Sequence, residues 1–493
     1  LCFTLLFVFG AFGNGFQSVP VFTFFGECVW LTVLLRSYSY IDFALLCIVS
    51  SAGKFIAYMH LFGNDSLSIL AMFGVSVFEA VSLITLVGIP LKCLPNKFYL
   101  LELLQVYIYP VCFTSFYSCT GLIASSWTNP AYAFMGFSSL YNVVSLFGLD
   151  GVNFIFTLGV SVCVLLRLGT FTEHNQTQNE FLIRNHHIRF FLGLLMIVFA
   201  YSGSYDMNSY GRFYQTNVVD WKQDYINAVC MIGYESNSTL QERLDATNSV
   251  AEQGLFLTSS FDTVSPDVIL WSETSTRVQS EEEEKMYLKG MQVIALKKRV
   301  MIGVTYLFSS PDSSKERNMF ALVLINGTIA FKYQKVHPVF IVEKNVEPGK
   351  HPAPVIDTGK AFGRVGGGIC FDFDYPRFIN KASNGADLML QPGWDWDVIG
   401  ILHAKMDATR ALENGFTLFR CSSGGVSGVY SPYFTTVFEK ITGTKEGETD
   451  VYATQIPKIR RLRTLYSYIG GLIGYLCTLT TVLLLLLSLV PKN

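Results

Sequence analysis

The sequence predicts a polytopic α-helical membrane bundle joined to a soluble α/β domain. Two observations carry this. Of 493 residues, 51% are apolar and only 15% are charged, well below the about 25% charge of soluble domains, so part of the chain must lie in lipid. The apolar excess is also uneven. Residues 1–205 are apolar runs broken by short polar turns, whereas residues 210–463 mix frequent charges with short β-rich runs, and a last apolar run closes the chain within 464–493.

In the first region the runs at 1–12, 17–35, 41–62, 67–92, 99–125, 150–168 and 189–205 are expected to span, about seven in all. Roughly 17–25 apolar residues are needed to cross the hydrocarbon. The first run is short and the fifth is interrupted by polar residues; residues 135–151 read as an amphipathic or re-entrant piece. Leu1 stands where a methionine is ordinary, which leads us to expect a fragment or a processed N-terminus. Gly63-Asn64-Asp65, Leu94-Pro95-Asn96 and Thr128-Asn129-Pro130 read as turns. Glu79 lies inside an apolar run, where a charge faces the bundle interior; an interhelical hydrogen bond and a contact with a polar head group are both open to it.

The second region alternates strand and helix signals. Residues 267–271 (DVILW), 301–308 and 386–391 read as strands, 281–298 and 401–414 as helices, and 416–421 as a further strand. Asn326-Gly327 between two β runs is the strongest hairpin signal in the chain. A net charge of −2 without a basic face excludes a nucleic-acid partner. Eleven cysteines without CxxC pairs predict neither a zinc site nor a disulfide framework. Asp372 and Asp374 have no histidine near them in sequence, and His337 and His403 read as structural, so no metal or other cofactor is expected.

The chemistry centres on residues 362–376, FGRVGGGICFDFDYP. Glycines before Cys370 allow a positive-φ turn that holds the thiol clear of its strand; the alternative is a small buried hydrophobe. Two other polar residues sit where β runs end, Glu273 after DVILW and Lys335 in FKYQKVHP. Acyl transfer through a thiol needs a nucleophile, a base and positive charge at the developing oxyanion. Cys370, Glu273 and Lys335 supply these types, with a backbone N–H near Phe371 as a further donor.

The order WSETS, YQKVHP, GGGICFDFDYP, followed by GADLMLQPGWDW and the helix containing Arg410-Ala411-Leu412-Glu413-Asn414, resembles the carbon–nitrogen hydrolase (nitrilase) superfamily. With the bundle before and one span after, the chain is similar to its membrane branch, the apolipoprotein N-acyltransferases. The resemblance implies an αββα sandwich on a membrane bundle. It implies a ping-pong reaction in which Cys370 takes a fatty acyl group from a phospholipid as a thioester and passes it to an amine acceptor, such as a lipidated protein. It implies Glu273 as general base, Lys335 as oxyanion stabiliser, Glu343 as a supporting carboxylate, and Phe371, Asp372 and Glu413 at supporting positions. A thiolate favoured by the Lys335 cation is expected.

Three departures stand out. Phe371-Asp372 replace the family's Tyr-Glu after the nucleophile, residues 337–343 (HPVFIVE) replace its Val-Pro-Phe-Gly-Glu-like segment, and residues 392–396 (PGWDW) replace its Asn-Asp-Ala-Trp-like motif. A membrane-tethered amidase or hydrolase and a non-catalytic scaffold are the competing readings. For orientation, residues 458–463 (KIRRLR) against Lys492 place the domain in the cytoplasm by the positive-inside rule. The resemblance implies the periplasmic or luminal face, which the sequons at Asn237 and Asn326 also suit.

Overall fold

A computed structural model describes residues 1–491 apart from residue 38 and segments 95–103, 170–177, 220–224, 234–238, 257–262, 310–312, 360, 397–398, 433–435, 437, 443–449 and 459. Pro95, Asn96, Asn237, Lys492 and the start of the fifth expected span lie outside the described residues. The chain divides into two units, Leu1–Tyr205 with Tyr468–Asn493, and Asp206–Ser467.

The first unit is helical. Its main helices are α1 (Cys2–Gly13), α2 (Pro20–Arg36), α3 (Tyr40–Tyr58), α4 (Ser66–Cys93), α5 (Gln105–Ile123), α6 (Val144–Gly169), α7 (Gln178–Val219) and the C-terminal Leu472–Leu489. Six are long and apolar enough to cross a bilayer: α3, α4, α5, Val144–Leu165 of α6, Asn185–Asp206 of α7, and Leu472–Leu489. The two remaining expected spans are the shorter α1, of 12 residues, and α2, of 17. Residues 135–151 start as a short helix, Ser138–Tyr141, and enter α6, which kinks at Gly148 with φ 65°. Glu79 takes the structural option: Oε2 is 2.5 Å from Lys54 Nζ and Oε1 accepts from Thr128 Oγ1 at 2.6 Å. Lys54 also donates to Tyr117 at 2.7 Å, so the charge is shared among three helices and a loop.

The second unit is an αββα sandwich. One sheet runs in the order β12-β1-β2-β3-β4-β5: Asp450–Pro457, Tyr225–Ile232, Val268–Trp271, Met301–Ser309, Glu316–Val323 and Ile329–Gln334. A two-residue strand, Arg277–Val278, lies beside β3. β1, β2 and β3 are parallel neighbours, the two-residue strand is parallel to β3, and the other neighbouring pairs are antiparallel. The second sheet runs β11-β10-β9-β8-β7-β6: Phe438–Thr442, Gly425–Tyr430, Thr417–Ser423, Leu388–Trp394, Arg364–Gly367 and Ile356–Asp357, with β7, β8 and β9 parallel.

The strands read as apolar runs because both faces are buried. The core between the sheets takes Ile226, Leu270, Phe320 and Leu322 from one and Val365, Leu390 and Phe419 from the other. Helices α8 (Leu240–Gln253) and α9 (Glu281–Lys298) cover the outer face of the first sheet, and α10 (Pro376–Ala382) and α11 (Ile399–Asn414) that of the second. α9 begins at Ser280, whose hydroxyl accepts from the Glu283 N–H, and its four leading glutamates suit the positive end of the helix. The Asn326-Gly327 turn joins β4 and β5, with Gly327 at φ 77° and the Gly327 N–H donating to Leu324 O.

One expectation needs correction. Cys230 on β1 and Cys421 on β9 form a disulfide across the inter-sheet core, 191 residues apart in sequence. Spacing gave no hint of it, because partners on different sheets need no regular separation.

Candidate functional site

Four polar side chains meet inside the sandwich, delivered by separate strand ends. Glu273 lies two residues past β2, its N–H donating to Gly393 O in the other sheet at 3.2 Å. Lys335 follows β5 directly and is fixed by donation from its N–H to Asn318 O, 2.9 Å. Its Nζ lies 2.8 Å from Glu273 Oε1 and 2.6 Å from Glu343 Oε2, with the Lys335 and Glu273 side chains each 1% exposed. Glu343 closes a tight turn: its carboxylate also accepts the Val339 N–H at 2.7 Å, and Ile341 at the apex takes φ 78°.

Cys370 opens the short 3-10 turn Cys370–Asp374, just after β7, and is 2% exposed. The positive φ falls on Cys370 itself, at 45°, and not on the glycines before it. This corrects the expected role of the glycine triplet. A Cβ on Gly366 would come within 2.7 Å of Met389 Sδ, and one on Gly367 within 2.5 Å of Phe320 Cε1. The triplet lets β7 pass close under its neighbours, and the strained residue is the cysteine, held by what surrounds it.

Asp372 supplies much of that hold. Fully buried, it accepts the Ile369 N–H at 2.9 Å and the Tyr333 hydroxyl at 2.6 Å through Oδ2. Its Oδ1 accepts the His337 N–H at 2.9 Å, with His337 Nδ1 3.0 Å away. Tyr333 and His337 flank Lys335, so one carboxylate ties the cysteine turn to the lysine segment. Phe371 packs edge-on against Tyr375, which stacks on His337 at 3.8 Å. Glu413 instead belongs to the packing of α11, where it pairs with Arg410 at 3.1 Å, both side chains fully buried.

Two members went unseen in the sequence. Asn318 on β4 donates from Nδ2 to Glu273 Oε1 at 2.7 Å, within 3.4 Å of Glu343 Oε1. Its signal is strand alternation: Asn318 shares a face with Phe320 and Leu322, an amide where the period calls for a core residue. The other is the Trp394 carbonyl, which accepts from the Cys370 thiol at 3.4 Å; a backbone group leaves no mark in a sequence.

The electrostatics reverse the expected thiolate. Burial pushes the Cys370 thiol well above its ordinary value; Glu273 adds to this, and Lys335 opposes it without prevailing. Burial also raises the Glu273 carboxyl, with Lys335 opposing and Glu343 adding. For Lys335 burial pulls downward, but Glu273 and Glu343 outweigh it and hold the ammonium charged. The resting site is therefore a protonated thiol beside a carboxylate of strengthened basicity and a fixed cation. That set can accept a thiol proton and neutralise an oxyanion.

Among the described residues, two groups of side chains have the atom types of metal ligands within 4.8 Å of one another: Cys370, Asp395 and His403, and Asp374, His403 and Asp407. The Arg420 guanidinium occupies the same space, bonded to both Asp395 and Asp407. A cation set beside a buried guanidinium is disfavoured, so the donor set does not fit a metal ion.

No family model matches the chain. It is 35% identical over 114 residues to the apolipoprotein N-acyltransferase of Gloeobacter violaceus, covering 22% of this chain and 20% of that one. It is 25% identical over 234 residues to the apolipoprotein N-acyltransferase of Pseudomonas paraeruginosa, covering 43% and 46%. The match thus spans less than half the length of either relative. Among solved structures, Nit3 of Saccharomyces cerevisiae, a nitrilase-superfamily member, aligns at TM-score 0.39 and 20% identity over 50% of this chain and 94% of that one. An amidase from Nesterenkonia sp. aligns at 0.40 and 20% over 52% and 97%. Over these parts of its length the chain is thus similar in sequence to apolipoprotein N-acyltransferases, and it carries an αββα domain together with helices long and apolar enough to cross a membrane.

Proposed function

We propose that the chain is a membrane acyltransferase that moves a fatty acyl group from a phospholipid, through a thioester on Cys370, to an amine acceptor, for which a lipidated protein is the leading candidate. The observation that carries the reading is the buried Glu273–Lys335–Glu343 group beside Cys370, in a chain whose described residues include six helices long and apolar enough to cross a membrane. Glu273 takes the thiol proton as sulfur attacks the ester carbonyl. Lys335 and the Phe371 N–H face the oxygen that becomes negative. The ester C–O bond breaks, and the lysophospholipid hydroxyl leaves with the proton from Glu273. The acceptor amine then attacks the thioester, a C–N bond forms, the C–S bond breaks, and the thiol is restored. Fixed charges in a dry site need no reorganisation during these steps.

We place the catalytic domain on the periplasmic or luminal face. The Cys230–Cys421 disulfide supports this, because structural disulfides persist in oxidising compartments. It outweighs the charge asymmetry around the last span. Domain boundaries at residues 205 and 464 are proposed with it. Asn326 lies exposed at a hairpin tip, so glycosylation there in a eukaryotic host reports the side.

Incubation of the purified protein with a phospholipid labelled in its acyl chain tests the reaction. A hydroxylamine-sensitive label on Cys370, lost in Cys370→Ala and transferred to an added amine, is expected. Turnover of small amides with no labelled thioester would show an amidase instead, and unchanged function in Cys370→Ala would show a scaffold.

A further inference from the structure

A second cluster of charge lies behind Cys370, on the side of the second sheet. His403 on α11 sits among three carboxylates: Nδ1 is 2.6 Å from Asp395 Oδ1, and Nε2 is 2.7 Å from Asp374 Oδ2 and 3.4 Å from Asp407 Oδ2. Arg420 on β9 joins Asp395, at 2.5 Å, to Asp407. None of the five residues is more than 3% exposed. Burying so many charges is costly even when they are paired, and apolar side chains of similar volume commonly give equal or better stability. Stability alone is a weak reason for such a cluster.

Two links run from it to Cys370. Gln391 on β8 donates from Nε2 to Cys370 O at 3.2 Å and to Asp407 Oδ2 at 2.6 Å. The carbonyl on which the thiol rests belongs to Trp394, whose neighbour in the chain is Asp395. The cluster therefore bears on both the backbone and the sulfur of the residue held at φ 45°. We propose that the Asp374–Asp395–His403–Asp407–Arg420 cluster is a positioning unit for the nucleophile, with Gln391 transmitting its geometry to the Cys370 turn and its net charge setting how readily the thiol ionises.

The charge count supports this. Three carboxylates face one guanidinium and one imidazole. Burial works against the imidazolium, but Asp374, Asp407 and Asp395 together hold His403 charged. Burial pushes Asp407 up to about 7, with His403 and Arg420 opposing and Asp374 adding. Ionisation of Asp407 thus adds one negative charge to the cluster as pH rises through neutrality. Of this cluster Asp395 raises the thiol and Arg420 lowers it, beside Glu273 and Lys335; a charge on Asp407, which pairs with Arg420, offsets that guanidinium and so works against thiolate formation.

The inference rests on Cys370 being the nucleophile of the proposed reaction, but its test does not require turnover. Full-length protein in detergent is labelled with iodoacetamide across pH 6–10, and the rate at Cys370 is read by peptide mass spectrometry. Asp407→Asn keeps an acceptor for Gln391 and removes a charge; its curve should move toward acid by about half a pH unit or more, roughly threefold faster labelling on the rising limb. Gln391→Glu adds a charge beside Cys370 O and should move the curve the opposite way. Curves that coincide with the parent's in both variants overturn the proposal. Should Asp407→Asn lose its cooperative melt, Gln391→Glu decides alone. Failure of the phospholipid to form a thioester, with both shifts present, would overturn the acyltransferase reading and leave this one standing.

Discussion

Asn318 Nδ2 lies 2.7 Å from Glu273 Oε1, the oxygen that also receives Lys335. The catalytic carboxylate of the proposed reaction is thus held on one oxygen by an amide from β4 and a cation from the end of β5. Its other oxygen, Oε2, is buried and accepts no hydrogen bond of ordinary geometry among the described residues. An oxygen left without a donor is the natural place for an incoming proton.

Removing the amide should therefore matter. Asn318→Ala takes a donor from a buried carboxylate, a loss of about 1–3 kcal/mol. We expect roughly ten- to a hundredfold slower formation of the Cys370 thioester, with Asn318→Ser recovering part of it. Single-turnover labelling measures this; an unchanged rate would mean that Lys335 alone orients Glu273.

The pH profile should carry the mark of Glu343. In the proposed reaction Glu273 can act as a base only when ionised, so activity should fall as pH drops through its carboxyl value. Burial raises that value, and Glu343 raises it further. Glu343→Gln removes the second carboxylate, so the acid limb should move to lower pH. The limb of kcat/KM between pH 4 and 8 checks it, and a shift toward higher pH would sink the assignment.

The glycine triplet gives a steric prediction. In Gly367→Ala the new Cβ would lie 2.5 Å from Phe320 Cε1 and 3.0 Å from Leu390 O. Overpacking of this kind costs about 1–3 kcal/mol. Gly367→Ala should lower the denaturation midpoint, and adding Phe320→Leu should restore part of it because the two residues share one contact. Additive losses would show that the strand had shifted instead.

The disulfide joins strands of opposite sheets and closes a loop of about 190 residues. Chain-entropy arguments give about 5 kcal/mol for such a loop, and removing a native disulfide typically costs 2–5 kcal/mol. Cys421→Ala should unfold at clearly lower denaturant, and a non-reducing peptide map of the parent should contain the linked pair. Two free thiols in that map would remove this support for the oxidising face.

The sequence was most informative where physics is local. Helix 281–298, the hairpin at Asn326-Gly327 and the strand after Asp267 were all legible from caps, turn residues and apolar runs. So was the grouping of Glu273, Lys335 and Cys370, because each stands just past the end of a β run. What stayed hidden is non-local. Asn318 acquires its meaning only when β4 pairs with β5, and His403 only when α11 lies against the 3-10 turn. The Cys370 thiol is shifted in the direction opposite to the one its motif suggests, because motif order carries the proximity of Lys335 but not complete burial beside Glu273.

The pairing of β1 with β12, Tyr225 opposite Pro457 and Ile232 opposite Asp450, has a bearing on biogenesis. The first strand of the second unit finds its antiparallel partner only after some 220 further residues have been made. A ribosome elongating at about 5–20 residues per second leaves that strand's edge open for ten seconds or more. During that interval an apolar edge is exposed to wrong partners. The disulfide cannot form before Cys421 emerges, so the covalent lock comes late as well. Translation that stops short of β12 should leave not a merely less stable fold but a domain with an open seam, a substrate for quality-control proteases.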